Sequence, residues 1–282
     1  MASRERAGFC VPEGSISHRR APAILKPDRA RRPERCLRNE CGRELLMHID
    51  SFQLTPVRLP IDGAVLDADL GLPKSPRGIV VFAHGSGSSR YSPRNQFVAG
   101  QLRARGFGTL LADLLTGPEE VVDRRTARLR FDIGLLGRRV VALVDWLKRR
   151  PEISALPIGL FGASTGAAAA LVAAAERPHD VSAVVSRGGR PDLADVALPR
   201  VLAPTLLLVG GLDTTVIDMN RDAQRHMRHL VQLEIVPGAS HLFEEPGTLE
   251  TVAQRAGEWF EKYLPVTAAA QPASPSDMSP HR

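Results

Sequence analysis

The stretch PIGLFGASTGAAAALVAAAER, Pro157 to Arg177, decides the fold. Its first nineteen residues carry no charge, a length sufficient to cross a bilayer. A spanning helix draws its insertion energy from Leu, Ile, Val and Phe, whereas small residues dominate here, so a membrane span is not expected. The better reading divides the stretch into a buried strand (GLF), a sharp turn (Gly162-Ala163-Ser164-Thr165-Gly166) and a strong helix former, AAAALVAAAER. The turn fits the G-x-S-x-G pattern expected of a nucleophile elbow, against the alternative of a glycine-rich strand-to-helix turn with an N-capping serine. Its serine needs a strained backbone to lift the hydroxyl clear of the sheet, and the flanking glycines avoid neighbouring strand and helix. The N–H groups that open the helix face the place where negative charge would form.

Outward from this stretch, strand-like and helix-like segments alternate from about residue 48 to 265. FQLTPVRLP and AVLDADLGLP read as an opening strand pair around IDG. GIVVFAHG, FGTLLADLL, VSAVVSRGG, PTLLLVGG and VQLEIVPG read as further strands. Helices are expected near 93–105, over 132–150, after Ser164, over about 218–230, and at the end of the domain. In the closing helix Val252, Ala256, Trp259, Phe260 and Tyr263 share one face. Residues 116–131, TGPEEVVDRRTARLRF, read as the longest irregular piece, placed to overhang the site. The alternation predicts an α/β domain with a mainly parallel sheet, helices on both faces and no large cap domain. Ligand chemistry then belongs at the C-terminal ends of the strands.

A serine hydroxyl becomes a nucleophile only when a base takes its proton, and that base needs an orienting carboxylate. On this architecture the expected chain order is Ser, acid, His. Asp213 follows the strand-like LLLVGG, and His241 follows the last strand in PGASHLFEEPG. The rival acid is Asp192 in SRGGRPDLAD, for which helix capping is the competing role. The tetrahedral intermediate needs two donors for its oxyanion. One is expected to be the Thr165 amide. The other is expected from the loop His84-Gly85-Ser86-Gly87-Ser88-Ser89, with the Ser86 amide favoured over those of Gly85 and Gly87. His84 reads as a loop organiser rather than a second base. Arg187, beyond a strand that ends on the same edge as Ser164, is a candidate anchor for a substrate carboxylate, against the alternative of a solvated loop arginine.

The net charge of +6 suggests a nucleic-acid partner only until it is located. Residues 1–46 hold 11 of the 37 Lys and Arg and six of the 31 Asp and Glu, leaving 26 basic against 25 acidic residues in the remainder. The patterned region is therefore near neutral, and no nucleic-acid partner is expected. Cys10, Cys36 and Cys41 all fall in the first segment, so no disulfide framework is expected in the core, which suits a reducing cytoplasm. Residues 1–46 read as a disordered basic extension, with Met47 as a candidate true start, and 266–282 as a disordered tail around a 47–265 domain. There is no GxxxxGK[ST], HExxH, CxxC pair or GxGxxG after a strand, so neither cofactor nor metal is expected.

Four ordered motifs, VVFAHGSGSS, GLFGASTGAAAA, LLLVGGLD and PGASHLFEEPG, together resemble the α/β-hydrolase superfamily in its dienelactone-hydrolase-like branch, over about residues 56–264. The resemblance implies an α/β-hydrolase fold and a hydrolytic mechanism on a small-molecule acyl substrate. The hydrolases that name the branch carry cysteine as nucleophile where this chain has Ser164, so the substrate does not follow from the resemblance. The expectation from sequence is a serine hydrolase acting on an ester or related acyl bond through an acyl-enzyme. A thioesterase or peptidase of the same fold, and a catalytically silent binding module, are the alternatives.

Overall fold

The computed structural model describes residues 54–264 except Asp62. The expectations for the 1–46 extension, for Met47, for the three cysteines and for the 266–282 tail lie outside these residues. Eight strands form one sheet in the order β1-β2-β4-β3-β5-β6-β7-β8. They are β1 (Leu54–Ile61), β2 (Ala64–Gly71), β3 (Ile79–Ala83), β4 (Gly108–Ala112), β5 (Ile158–Ala163), β6 (Val181–Arg187), β7 (Thr205–Gly210) and β8 (Val231–Val236). The pairs β1–β2 and β2–β4 are antiparallel, and every pairing from β4 through β3 to β8 is parallel.

Among the described residues there are six α-helices, five between strands and one after β8: α1 (Pro93–Ala104), α2 (Gly117–Thr126), α3 (Ile133–Lys148), α4 (Thr165–Glu176), α5 (Thr214–His226) and α6 (Thr248–Tyr263). Parallel strands buried on both faces read as continuous apolar runs, as β3 does in full. The pleat then divides such a run between two cores. Ile79, Val81 and Ala83 pack with Val140, Val144 and Leu171 from α3 and α4. Val80 and Phe82 pack with Val98 and Leu102 of α1 and with Val252, Ala256 and Phe260 of α6. Among the described residues no helix is long and apolar enough to cross a membrane.

Two segments differ from the sequence expectation. Residues 116–131 are not irregular: they fold into α2 followed by a 3-10 turn at Leu129–Phe131. The cause is a capping box, in which the Thr116 side chain accepts from the Glu119 amide while the Glu119 carboxylate accepts from the Thr116 amide. Pro118 in the first turn suits this start. Helix α5 begins at Thr214, four residues earlier than expected, because the Asp213 carbonyl already accepts from the Ile217 amide.

Candidate active site

All the expected reacting groups lie at the C-terminal ends of parallel strands, and the strand register brings them together. Ala83 of β3 pairs with Gly162 of β5, and Ala163 pairs with Arg187 of β6. Ser164, directly after β5, adopts φ 50° and ψ −122°, a conformation that L-residues avoid and that nucleophile elbows impose. Its neighbours explain the glycines. A Cβ at Gly162 would lie 2.4 Å from Ala167 Cα, and one at Gly166 would lie 2.2 Å from the Ala83 carbonyl oxygen. The elbow is tied to β6 by Ser164 N–H to the Arg187 carbonyl and to the loop after β6 by Arg190 N–H to the Ser164 carbonyl.

Asp213 and His241 meet across the loops after β7 and β8. The Asp213 carboxylate accepts from His241 Nδ1 at 2.6 Å. Backbone bonds stitch these loops together, from Gly211 N–H to the Val236 carbonyl and from Leu212 N–H to the Ala239 carbonyl. The β8 loop crosses so near to Gly210 that a Cβ there would lie 2.4 Å from two carbonyl oxygens. The Glu245 carboxylate closes the histidine loop by accepting from the Ser240 amide at 2.9 Å, and this bond holds its carboxyl below the usual range. Sequence reasoning missed Glu245. The available signal was a carboxylate five residues after Ser240 in a loop otherwise short of partners.

Ser164 and His241 line one cleft of about 280 Å³, together with Ser86, Arg94, Asn95 and Arg187. No hydrogen bond joins Ser164 Oγ to His241 among the described residues, and such bonds often tighten only when substrate binds. The glycine loop lies against the elbow, since a Cβ at Gly85 would meet Ser164 Cβ at 3.0 Å. Ser86 and Thr165 are joined through their hydroxyls at 3.1 Å, and neither amide donates to a protein acceptor among the described residues. His84 is buried: Nε2 accepts from the Leu114 amide at 2.9 Å and Nδ1 lies 3.0 Å from the Gly85 carbonyl. These bonds place the proton on Nδ1, and burial pushes the imidazole's pKa down. His84 thus organises the loop as a neutral ring.

Asp192 stands apart from this arrangement. Its carboxylate accepts from Arg190 through Nε and Nη2 and makes no capping bond to the 3-10 segment that follows. The expectation that it caps a helix is therefore corrected, because the guanidinium two residues away occupies it. Arg187 is not a solvated loop residue. It is 7% exposed, its Nε is without a partner among the described residues, and the one hydrogen bond its side chain makes to them is a long one to Asn95 Oδ1 at 3.5 Å. Burial, with Arg94 nearby, draws its pKa down to about 10, so it stays charged at neutral pH. Arg94 and Asn95 open α1 over the same cleft. Their place in the site was hidden in the sequence, because it depends on the path of the loop before α1.

Comparison with known proteins agrees with this fold. The crystal structure of a dienelactone hydrolase from Anabaena variabilis is 58% identical, with a TM-score of 0.74, covering 76% of this chain and 99% of that one. Est1E from Butyrivibrio proteoclasticus shares the fold at 18% identity and a TM-score of 0.61, over 74% of this chain and 98% of that one. A Mycobacterium tuberculosis protein provisionally named a phosphoribosyl transferase is 58% identical over 195 residues, which are 69% of this chain but only 43% of that protein. The dienelactone hydrolase family model matches residues 66–266. A G-x-S-x-G elbow in this sheet, with an acid and a histidine on the following strand ends, and a family match across most of the chain lead to one assignment: the chain belongs to the dienelactone hydrolase family.

Proposed function

We propose that the protein is a serine hydrolase that cleaves an ester or related acyl bond through an acyl-enzyme. The observation that carries this reading is the 2.6 Å contact between His241 and Asp213 on the cleft that holds the strained Ser164. Ser164 Oγ attacks the substrate carbonyl while His241 Nε2 takes its proton. Asp213 holds the imidazole in the Nδ1–H tautomer and stabilises the imidazolium. The Thr165 and Ser86 amides receive the oxyanion, and neither has a competing acceptor among the described residues. His241 then protonates the leaving group, and water, activated by the same histidine, releases the acyl group and restores Ser164. No step requires a cofactor. A thioester would react at the same groups by the same steps. The name of the mycobacterial relative belongs to a protein of which the match covers less than half, and the reading here rests on the matched part.

Arg187 favours a substrate that carries a carboxylate. A buried guanidinium without an acidic partner is costly, and a carboxylate in the cleft would relieve that cost by a charge-assisted, bidentate contact. The N-terminus of α1 adds to the positive field, whereas Arg94 is paired with Glu244 at 3.2 Å. Hydrolysis of a simple aryl acetate tests the reaction. Wild type turns it over, and Ser164→Ala loses about 10⁴-fold or more. Comparing a carboxylated ester with its neutral isostere tests the anchor. Arg187→Ala selectively damages the carboxylated substrate by roughly 10-fold or more. Equal losses on both esters would reduce Arg187 to a packing residue, and a silent binding module would turn over none of them.

A further inference from the structure

A second cavity, of about 100 Å³, lies on the α2 side of the glycine loop. It shares Gly85, Ser86 and Ser88 with the Ser164 cleft and reaches Thr165. Whatever occupies it therefore abuts the groups assigned to the oxyanion. Its floor is apolar, from Leu115 and Leu136. Its polar wall is built around Arg130, whose fork is fixed from behind. Arg130 Nε donates to Asp123 Oδ2 at 2.7 Å and Nη2 donates to the Asp123 carbonyl at 3.2 Å. The Asp123 carboxylate also accepts from the Leu129 and Arg130 amides, and the residue is only 3% exposed.

Arg130 Nη1 is left without an acceptor among the described residues. It faces the glycine loop, where a Cβ on Gly87 would come within 3.7 Å of it. The wall as a whole carries no excess charge, since Arg124 and Arg130 are matched by Glu120 and Asp123. A pre-set donor over an apolar floor, without net charge, suits a neutral oxygen acceptor rather than an anion. The wall is also firmly held. Glu119 of α2 pairs with both terminal nitrogens of the buried Arg139 on α3, at 2.8 and 2.6 Å.

Resting on the serine-hydrolase reading, we infer that this cavity is a substrate subsite for a short, neutral, oxygen-bearing group, such as an ether or hydroxyl, read by Arg130 Nη1. The substrate then has two recognised ends, one at Arg187 and one beneath α2, with the scissile carbonyl between them.

Two isosteric ester pairs test this with the full chain. One pair varies the acyl side, p-nitrophenyl methoxyacetate against p-nitrophenyl butanoate. The other varies the alcohol side, 2-methoxyethyl acetate against butyl acetate. Intrinsic reactivity cancels when each variant is divided by wild type on the same ester. Arg130→Met is expected to lower kcat/KM about 10-fold on the oxygen-bearing member of one pair, mostly through KM, and less than about 3-fold on its methylene partner. The double variant Asp123→Asn with Arg130→Met leaves no unpaired buried carboxylate, and it keeps the comparison available if the single variant does not fold. Equal losses within both pairs would overturn the subsite while leaving the hydrolase reading intact. Absence of turnover by wild type on all four esters would overturn both.

Discussion

At Ser164 the proposed role of a short side chain rests on the backbone around it. The φ of 50° is tolerated because Gly162 and Gly166 remove the Cβ atoms that would strike Ala167 and Ala83. Gly166→Ala is therefore expected to destabilise the fold by at least about 2 kcal/mol, read as a lower denaturant midpoint. Gly117→Ala, in open space at the start of α2, is expected to be near neutral. Within the triad, His241→Ala should cost about 10⁴-fold in aryl acetate hydrolysis and Asp213→Asn at least about 10²-fold. Asp192→Asn should cost little, because its carboxylate is spent on Arg190. Greater damage from Asp192→Asn than from Asp213→Asn would mean that the wrong acid has been assigned. The meeting of Asp213 with His241 was legible in the sequence because chemistry limits which residue types can serve as acid and base and the fold fixes their chain order. Arg187 was legible only as a candidate. Its burial arises from Phe243, Asn95 and the elbow converging on it, and none of these is near it in sequence.

Among the elements, α2 shows how a polar helix escapes a reading based on apolar periodicity. Only Asp123 of its residues is buried, so no apolar stripe marks it. Its start was nonetheless written in Thr116-Gly117-Pro118-Glu119, a capping signature of side-chain oxygen and carboxylate three residues apart. Glu119 also fixes the helix to α3. Burial would raise its carboxyl, but Arg139, with the Thr116 amide and hydroxyl, more than offsets that and holds it at about 2. A carboxyl depressed in the folded state contributes stability that is complete above its unfolded pKa of about 4.3 and is lost as pH falls toward the folded value. Thermal melts of Glu119→Gln should therefore fall below wild type at pH 7, with the gap narrowing between about pH 4.5 and pH 2. A gap unchanged at pH 3 would mean that the ion pair does not anchor α2.

At the scale of the domain, the described residues form a mainly parallel sheet whose register places the candidate site. Neighbouring strands β3, β5 and β6 end level with one another, and β7 and β8 deliver Asp213 and His241 on loops that share backbone bonds. The continuous apolar runs made the strands legible, and their alternation with helices gave the sheet. The two cavities beside the glycine loop were not legible, because their walls come from segments far apart in sequence that meet only in the folded chain. At this scale a chain beginning at Met47 keeps every described strand and helix, and it is expected to fold and hydrolyse aryl acetate like the full chain. Loss of folding or activity would show that 1–46 belongs to the domain. The central claim, that Ser164 is a nucleophile activated by His241, is tested most directly by a fluorophosphonate. Its attack forms a bond from Ser164 Oγ to phosphorus and expels fluoride, while His241 takes the serine proton. Peptide mass spectrometry should find the phosphonyl adduct on Ser164 in wild type and little or none in His241→Ala at matched exposure. An unmodified Ser164 in folded wild-type protein, or equal labelling in the two, would contradict it.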